Sequence, residues 1–119
     1  MSIHRKAHSG GVGYSLSTSV QGPGELIYVS GVIGTGDTLA EQTGSCFDQI
    51  EQALAAHGAT LASVVRITSY LTSLDEYGDF SRIRGERFDD DLPSSTAVQV
   101  AGLLFDGLIE IDAIAFLPA

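Results

Sequence analysis

The stretch Leu92-Pro93-Ser94-Ser95-Thr96-Ala97-Val98-Gln99-Val100-Ala101, a Gly-bounded connection from Gly102 to Gly107, and Leu108-Ile109-Glu110-Ile111-Asp112-Ala113-Ile114-Ala115-Phe116 together decide the fold. They read as two β-strands. Period-2 alternation puts Ile109, Ile111, Ala113 and Ala115 on one face of the second strand and Leu108, Glu110, Asp112, Ile114 and Phe116 on the other. A carboxylate between Leu and Ile on a core strand is costly unless it is paired, solvated or used, which singles out Glu110. Pro93 opens the first strand and fixes the chain where a pocket wall would begin.

Working outward, Leu61 to Thr72 is a long β-branched run and reads as a strand. Leu74 to Phe88 reads as a helix, with Tyr77, Phe80, Ile83, Arg84 and Arg87 on or near one side and Asp89-Asp90-Asp91-Leu92-Pro93 closing it. Upstream, Thr38 and Glu41 have capping-box spacing. Thr43, Phe47, Ile50 and Leu54 then recur at helical intervals until Gly58 stops the turn. Cys46 falls on the core-facing half of this helix as a small hydrophobe. Leu26 to Ile33 is a strand interrupted by Ser30-Gly31, and a glycine there marks a bulge or a close backbone approach. Gly13 to Val20 is β-prone, and the turn at Gln21-Gly22-Pro23-Gly24 predicts a hairpin over 14–33. The order is β-β-α-β-α-β-β: one α+β domain over 1–119, a mixed sheet with two helices on one face.

The 119 residues carry a net charge of −9, which argues against nucleic acid or an anionic membrane as partner. It leaves a small molecule or another protein. No apolar run reaches the length of a membrane span. Met1-Ser2-Ile3-His4-Arg5-Lys6 has basic residues but no apolar run after it, so it is not a secretory signal. With a single cysteine and no intramolecular disulfide, a cytoplasmic address is expected. His4, His8 and His57 lack metal-ligand spacing.

In order along the chain stand Gly13-Tyr14-Ser15; Ile27-Tyr28-Val29-Ser30-Gly31; Glu41-Gln42-Thr43; Val64-Val65-Arg66-Ile67-Thr68; Tyr77-Gly78-Asp79-Phe80; Leu92-Pro93; Val98-Gln99-Val100-Ala101; and Ile109-Glu110-Ile111-Asp112-Ala113. In this order and spacing the chain resembles the RidA/YjgF family of reactive-intermediate (imine/enamine) deaminases over nearly its whole length. The resemblance implies a chorismate-mutase-like fold, a homotrimer whose sheets line a central barrel, and ligand clefts between neighbouring subunits. It implies hydrolysis of short 2-imino acids to 2-keto acids and ammonia, with no cofactor or metal. Carried over by position, the family's pocket tyrosine is Tyr14, its serine Ser30 and its glutamate Glu110.

Two positions depart from that pattern. The family's carboxylate-clamping arginine is Ser95, and its asparagine after the Asp-Phe pair is Arg84. Losing a bidentate clamp costs on the order of 2–5 kcal/mol of binding if the same anion is still used. Either Arg84 reaches from its helix to replace the lost guanidinium, or the ligand has changed. The plainer role for Arg82, Arg84 and Arg87 is pairing with Glu86, Asp89, Asp90 and Asp91. In the enzymatic reading Glu110, its pKa raised in a partly desolvated cleft, moves the proton and positions water. Ser30 and backbone groups of the strand around Ser95 and Ala97 orient that water, Tyr14 lines the site, and Arg84 anchors the anion. The rival is a non-catalytic trimer of the same fold that binds a metabolite or protein partner. Endoribonuclease activity fits poorly with the acidic charge.

Overall fold

The computed structural model describes residues 5–89 and 91–119. Met1 to His4 of the basic N-terminal run lie outside the described residues, as does Asp90 of the acidic run. Strand β1 (Arg5–His8) pairs antiparallel with β2 (Ser17–Val20) as a separate ribbon. Then follow β3 (Gly24–Ile33), helix α1 (Leu39–Ala55), β4 (Val64–Leu71), helix α2 (Tyr77–Arg87), β5 (Ser94–Gln99) and β6 (Ile109–Pro118). The four longer strands form one mixed sheet in the order β3-β6-β4-β5, in which only β4 and β5 run parallel. The crossover between those two is α2.

Alternation on β6 fixes the layering. Ile109, Ile111, Ala113 and Ala115 are all at most 2% exposed and pack with Ile67 and Leu71 of β4 against Phe47, Ile50 and Leu54 of α1 and Phe80 of α2. Both helices therefore cover one face, as the α+β pattern requires. Helix α1 starts where expected: Thr38 Oγ1 accepts from the Glu41 N–H at 3.1 Å and donates to Glu41 Oε1 at 3.1 Å. It ends in a turn closed by Gly58 at φ +76°, with the Ala59 N–H on the Leu54 carbonyl.

The expected 14–33 hairpin does not form. The segment 17–20 pairs with Arg5–His8, which adds a strand ahead of the expected series, while β3 pairs with β6. The reason is burial: pairing with β6 places Ile27 and Val29 in the core, whereas the Ser-rich 17–20 strand has no apolar face to bury. The ribbon instead crosses the start of β4 and β5. There the Ser15 N–H donates to the Pro93 carbonyl (3.0 Å), Ser15 Oγ to the Leu92 carbonyl (2.6 Å) and Thr18 Oγ1 to the Val65 carbonyl (2.8 Å). This anchorage holds Tyr14 beside the edge of the sheet.

Among the described residues no further layer covers the face turned away from the helices. Leu26, Tyr28 and Val98 are exposed there, with Ile114, Glu110 and Asp112 half-buried among them. An uncovered apolar sheet face of this kind marks an interaction surface.

Candidate functional site: two half-sites on opposite faces

The first half-site is built on β6 and the bulge in β3. The register of β3 against β6 slips between Val29 and Val32, so Ser30 and Gly31 bulge out, both exposed. A Cβ added at Gly31 would overlap Glu110 Oε2, so the glycine is where the glutamate carboxylate rests. Across β6, Glu110 is registered with Tyr70 of β4 and Ile33 of β3. The neighbouring carboxylate is engaged: the Tyr70 phenol donates to Asp112 Oδ2 at 3.0 Å, and that bond first of all holds the Tyr70 phenol above its ordinary pKa. Glu110 has no hydrogen bond or ion pair among the described residues and remains half-buried. An acceptor that is near the surface but uncommitted is suited to a proton or a water.

The second half-site is built on α2, the edge strand β5 and the 12–15 segment. Arg84 is only 2% exposed. It reaches from α2 to position 95, where Nη1 donates to Ser95 Oγ at 3.3 Å. Nη2 donates to the Val12 carbonyl (3.1 Å) and to Ser81 Oγ (3.4 Å). The guanidinium lies against two rings, 5.3 Å from the Tyr14 centroid and 5.0 Å from that of Phe80. Gly13, at φ +80°, leaves room for Nη2: a Cβ there would stand 3.2 Å from it. Among the described residues no carboxylate pairs with Arg84, and its Nε is enclosed with no partner. A buried cation with only neutral partners carries a desolvation cost of several kcal/mol that a bound anion would offset.

The other two arginines of the helix are committed to acids. Arg82 pairs with Asp79 (3.8 Å) and Glu86 (3.4 Å), as local pairing predicts. Arg87 instead ties α2 to α1 through Asp48 (2.8 Å) and Glu51 (3.9 Å), because its side of the helix faces α1 rather than the acidic run after it.

Ser95 is registered with Ile67, and Ile67 with Ala113; Ala97 is registered with Ser69, and Ser69 with Ile111. Ser95 and Ala97 therefore share the helix-covered face. Glu110 shares the bare face with Tyr70 and Val98. So the structure brings Tyr14, Arg84 and Ser95 together, with Ala97 on the same face, and brings Glu110 together with the Ser30-Gly31 bulge. It does not bring the two sets to one place within a chain. The sequence reading put Phe80 and Arg84 on one side of the helix but missed their contact, and it missed Val12 and Ser81 as acceptors for Arg84. The spacing of Phe80 and Arg84, four apart on one helix, is the signal that would have paired ring and guanidinium. Among the described residues no three His, Cys, Asp or Glu side chains converge as they would for a metal ion. No helix among them is long and apolar enough to cross a membrane.

Comparison with known proteins gives a consistent result. The family model described as Endoribonuclease L-PSP matches residues 10–117. A RutC family protein of Pyrococcus abyssi is 35% identical over 101 residues, covering 78% of this chain and 80% of that one. The rat protein named 2-iminobutanoate/2-iminopropanoate deaminase is 33% identical over 97 residues, covering 75% and 71%. The crystal structure of a YjgF/YER057c/UK114 family member from Mycobacterium tuberculosis superposes with a TM-score of 0.76 at 34% identity, over 95% of this chain and 99% of that one. With the matched span reaching from before Tyr14 to beyond Glu110, the chain belongs to the RidA/YjgF family, the Endoribonuclease L-PSP family of that model.

Proposed function

We propose that the protein hydrolyses an imine or enamine of a small 2-oxo acid, without a cofactor, in a cleft formed where two copies of the chain meet in a homotrimer. The observation that carries this reading is the division of the site. Among the described residues, a glutamate without a partner sits on the bare sheet face, and a buried arginine without a counter-ion sits behind the other. One ligand reaches both only if the Glu110 half of one protomer abuts the Tyr14–Arg84–Ser95 half of the next. The exposed Leu26, Tyr28 and Val98 supply the apolar area for that association.

In the reaction, water adds to the iminium carbon while Glu110 accepts its proton and returns it to the nitrogen of the carbinolamine. The C–N bond then breaks as the hydroxyl gives its proton to Glu110, which passes it to the departing ammonia as ammonium. The product is the 2-oxo acid. Ser30 of the bulge and backbone groups around Ala97 orient the water, Tyr14 walls the cleft, and the positive charge of Arg84 favours a carboxylate at the far end. The relative named 2-iminobutanoate/2-iminopropanoate deaminase supports this substrate class.

The test is ketone release from freshly generated 2-iminobutanoate. Wild-type protein should exceed the buffer rate, and E110Q should lose about 10²-fold or more. A wild-type rate equal to buffer, with 2-oxobutanoate still bound, would instead make the protein a binding trimer of this fold.

A further inference from the structure

We propose that Ser95, not Arg84, is the residue that touches the ligand's carboxylate, and that Arg84 is a positioning residue that polarises the Ser95 hydroxyl through its hydrogen bond to Oγ. The inference rests on the site proposed above and specifies how its anionic end is read. Arg84 is 2% exposed, so a ligand cannot lie on it without displacing the Tyr14 segment, whereas Ser95 is half-buried on the outermost strand and accessible.

Donor accounting points the same way. Both Nη2 hydrogens are taken by Val12 and Ser81, one Nη1 hydrogen goes to Ser95 Oγ, and Nε is enclosed. No two parallel N–H groups remain for the fork that clamps a carboxylate bidentately. A serine hydroxyl, by contrast, has one proton and two acceptor lone pairs. In Ser95 a lone pair receives Arg84 Nη1, and the proton has no acceptor among the described residues. Accepting a hydrogen bond from a cation makes that proton a better donor, because linked hydrogen bonds polarise one another in a low-dielectric site. The charge behind it, with no counter-ion among the described residues, then selects an anion over a neutral isostere. The substrate class is a small 2-imino acid held at its carboxylate by one charge-backed hydroxyl, in place of a two-point clamp.

The experiment measures binding of 2-oxobutanoate and of its neutral analogue 2-oxobutanamide to the full chain by calorimetry, apart from any turnover. Wild type should prefer the acid by about tenfold. S95A should lose about tenfold in acid binding, and S95T should restore it. R84Q should lose the preference for acid over amide and R84K should keep it, a ratio that a purely structural defect would not move. S95A combined with R84Q should be no weaker than the weaker single variant. Because Arg84 lies in the core, S95A and S95T decide the point by themselves if R84Q does not fold. Wild-type affinity in S95A, a retained acid preference in R84Q, additive losses, or no acid binding by wild type would each overturn the inference. Failure of imine turnover with Ser95-dependent acid binding intact would overturn the proposed reaction and leave this inference standing.

Discussion

Arg84 and Glu110 lie on opposite faces of one four-stranded sheet. Ser95, which Arg84 bonds, is registered through Ile67 to the core-facing Ala113, while Glu110 is registered to Tyr70 and points with Val98 to the bare face. One intervening strand, β4, and a change of face separate Ser95 from Glu110, so one chain cannot bring both to one small molecule. The consequence is complementation. E110Q and S95A protein, each expected to be impaired, should recover activity when unfolded together and refolded as mixed oligomers. With random mixing about a quarter of the clefts would combine an intact Glu110 with an intact Ser95. Recovery no greater than the sum of the separate variants would mean that the site lies within one chain.

The carboxylate of Glu110 rests over a residue with no side chain. Gly31 sits in the β3 bulge, and a methyl group there would occupy the position of Glu110 Oε2. Gly31 is exposed, so G31A should leave the fold and thermal midpoint nearly unchanged while pushing the carboxylate aside. A displacement of about 1 Å at a reacting group is worth about 10²-fold in rate. Imine hydrolysis by G31A should fall by that order, with far-UV circular dichroism as the control. Wild-type kinetics in G31A would remove the bulge from the site.

Tyr28 is 71% exposed on a sheet strand and flanked on the same face by Leu26. An exposed ring opposite Ile114 on β6 is a poor surface for a monomer and a good centre for an interface. Y28K should therefore dissociate the assembly, because a desolvated ammonium at the middle of an apolar patch is costly. Light scattering should report three chains for wild type and a smaller mass for Y28K, with loss of any activity that needs the cleft. A wild-type protein that is monomeric at micromolar concentration would remove the subunit cleft.

Much of this was legible in the sequence because local signals and burial agreed. The period-2 alternation of Ile109 to Ala115 fixed the core face, and Thr38-Glu41 and Gly58 marked the ends of α1. Helix α2 was harder to read, since of its eleven residues only Phe80 and Arg84 are buried. An arginine in a core-facing position looks like surface to any hydropathy argument. The partner of 17–20 was not legible either. Two serines, a threonine and a valine do not specify a face, and Arg5–His8, which carries two charged residues, gives no strand signal of its own. The division of the site across two faces needs strand order, which neighbouring sequence segments do not contain.

Cys46 takes no part in the site but makes a clear physical prediction. Its Sγ is fully buried, 3.4 Å from the Val32 carbonyl and 3.8 Å from the Ile109 carbonyl. Burial above all, opposed by a backbone hydrogen bond at Ile111 and reinforced by the Glu110 charge, pushes the thiol from 9.0 up to about 12. Between those values the folded chain keeps a proton that the unfolded chain has released, so stability falls as pH rises through this window. Below the unfolded pKa this group leaves stability independent of pH. The slope approaches about 1.4 kcal/mol per pH unit, so the loss between pH 9 and pH 10.5 is on the order of 2 kcal/mol. C46A should be less stable at neutral pH by about 1 kcal/mol for the void it leaves, then lose the alkaline decline that wild type shows. The readout is the difference between the two proteins in urea unfolding across pH 7 to 10.5, which cancels the titration of the tyrosines common to both. Native wild type should also resist iodoacetamide at pH 8 and react once unfolded. A native thiol alkylated at the rate of a free cysteine, or a wild-type-to-C46A difference that does not change with pH, would contradict the buried, protonated state.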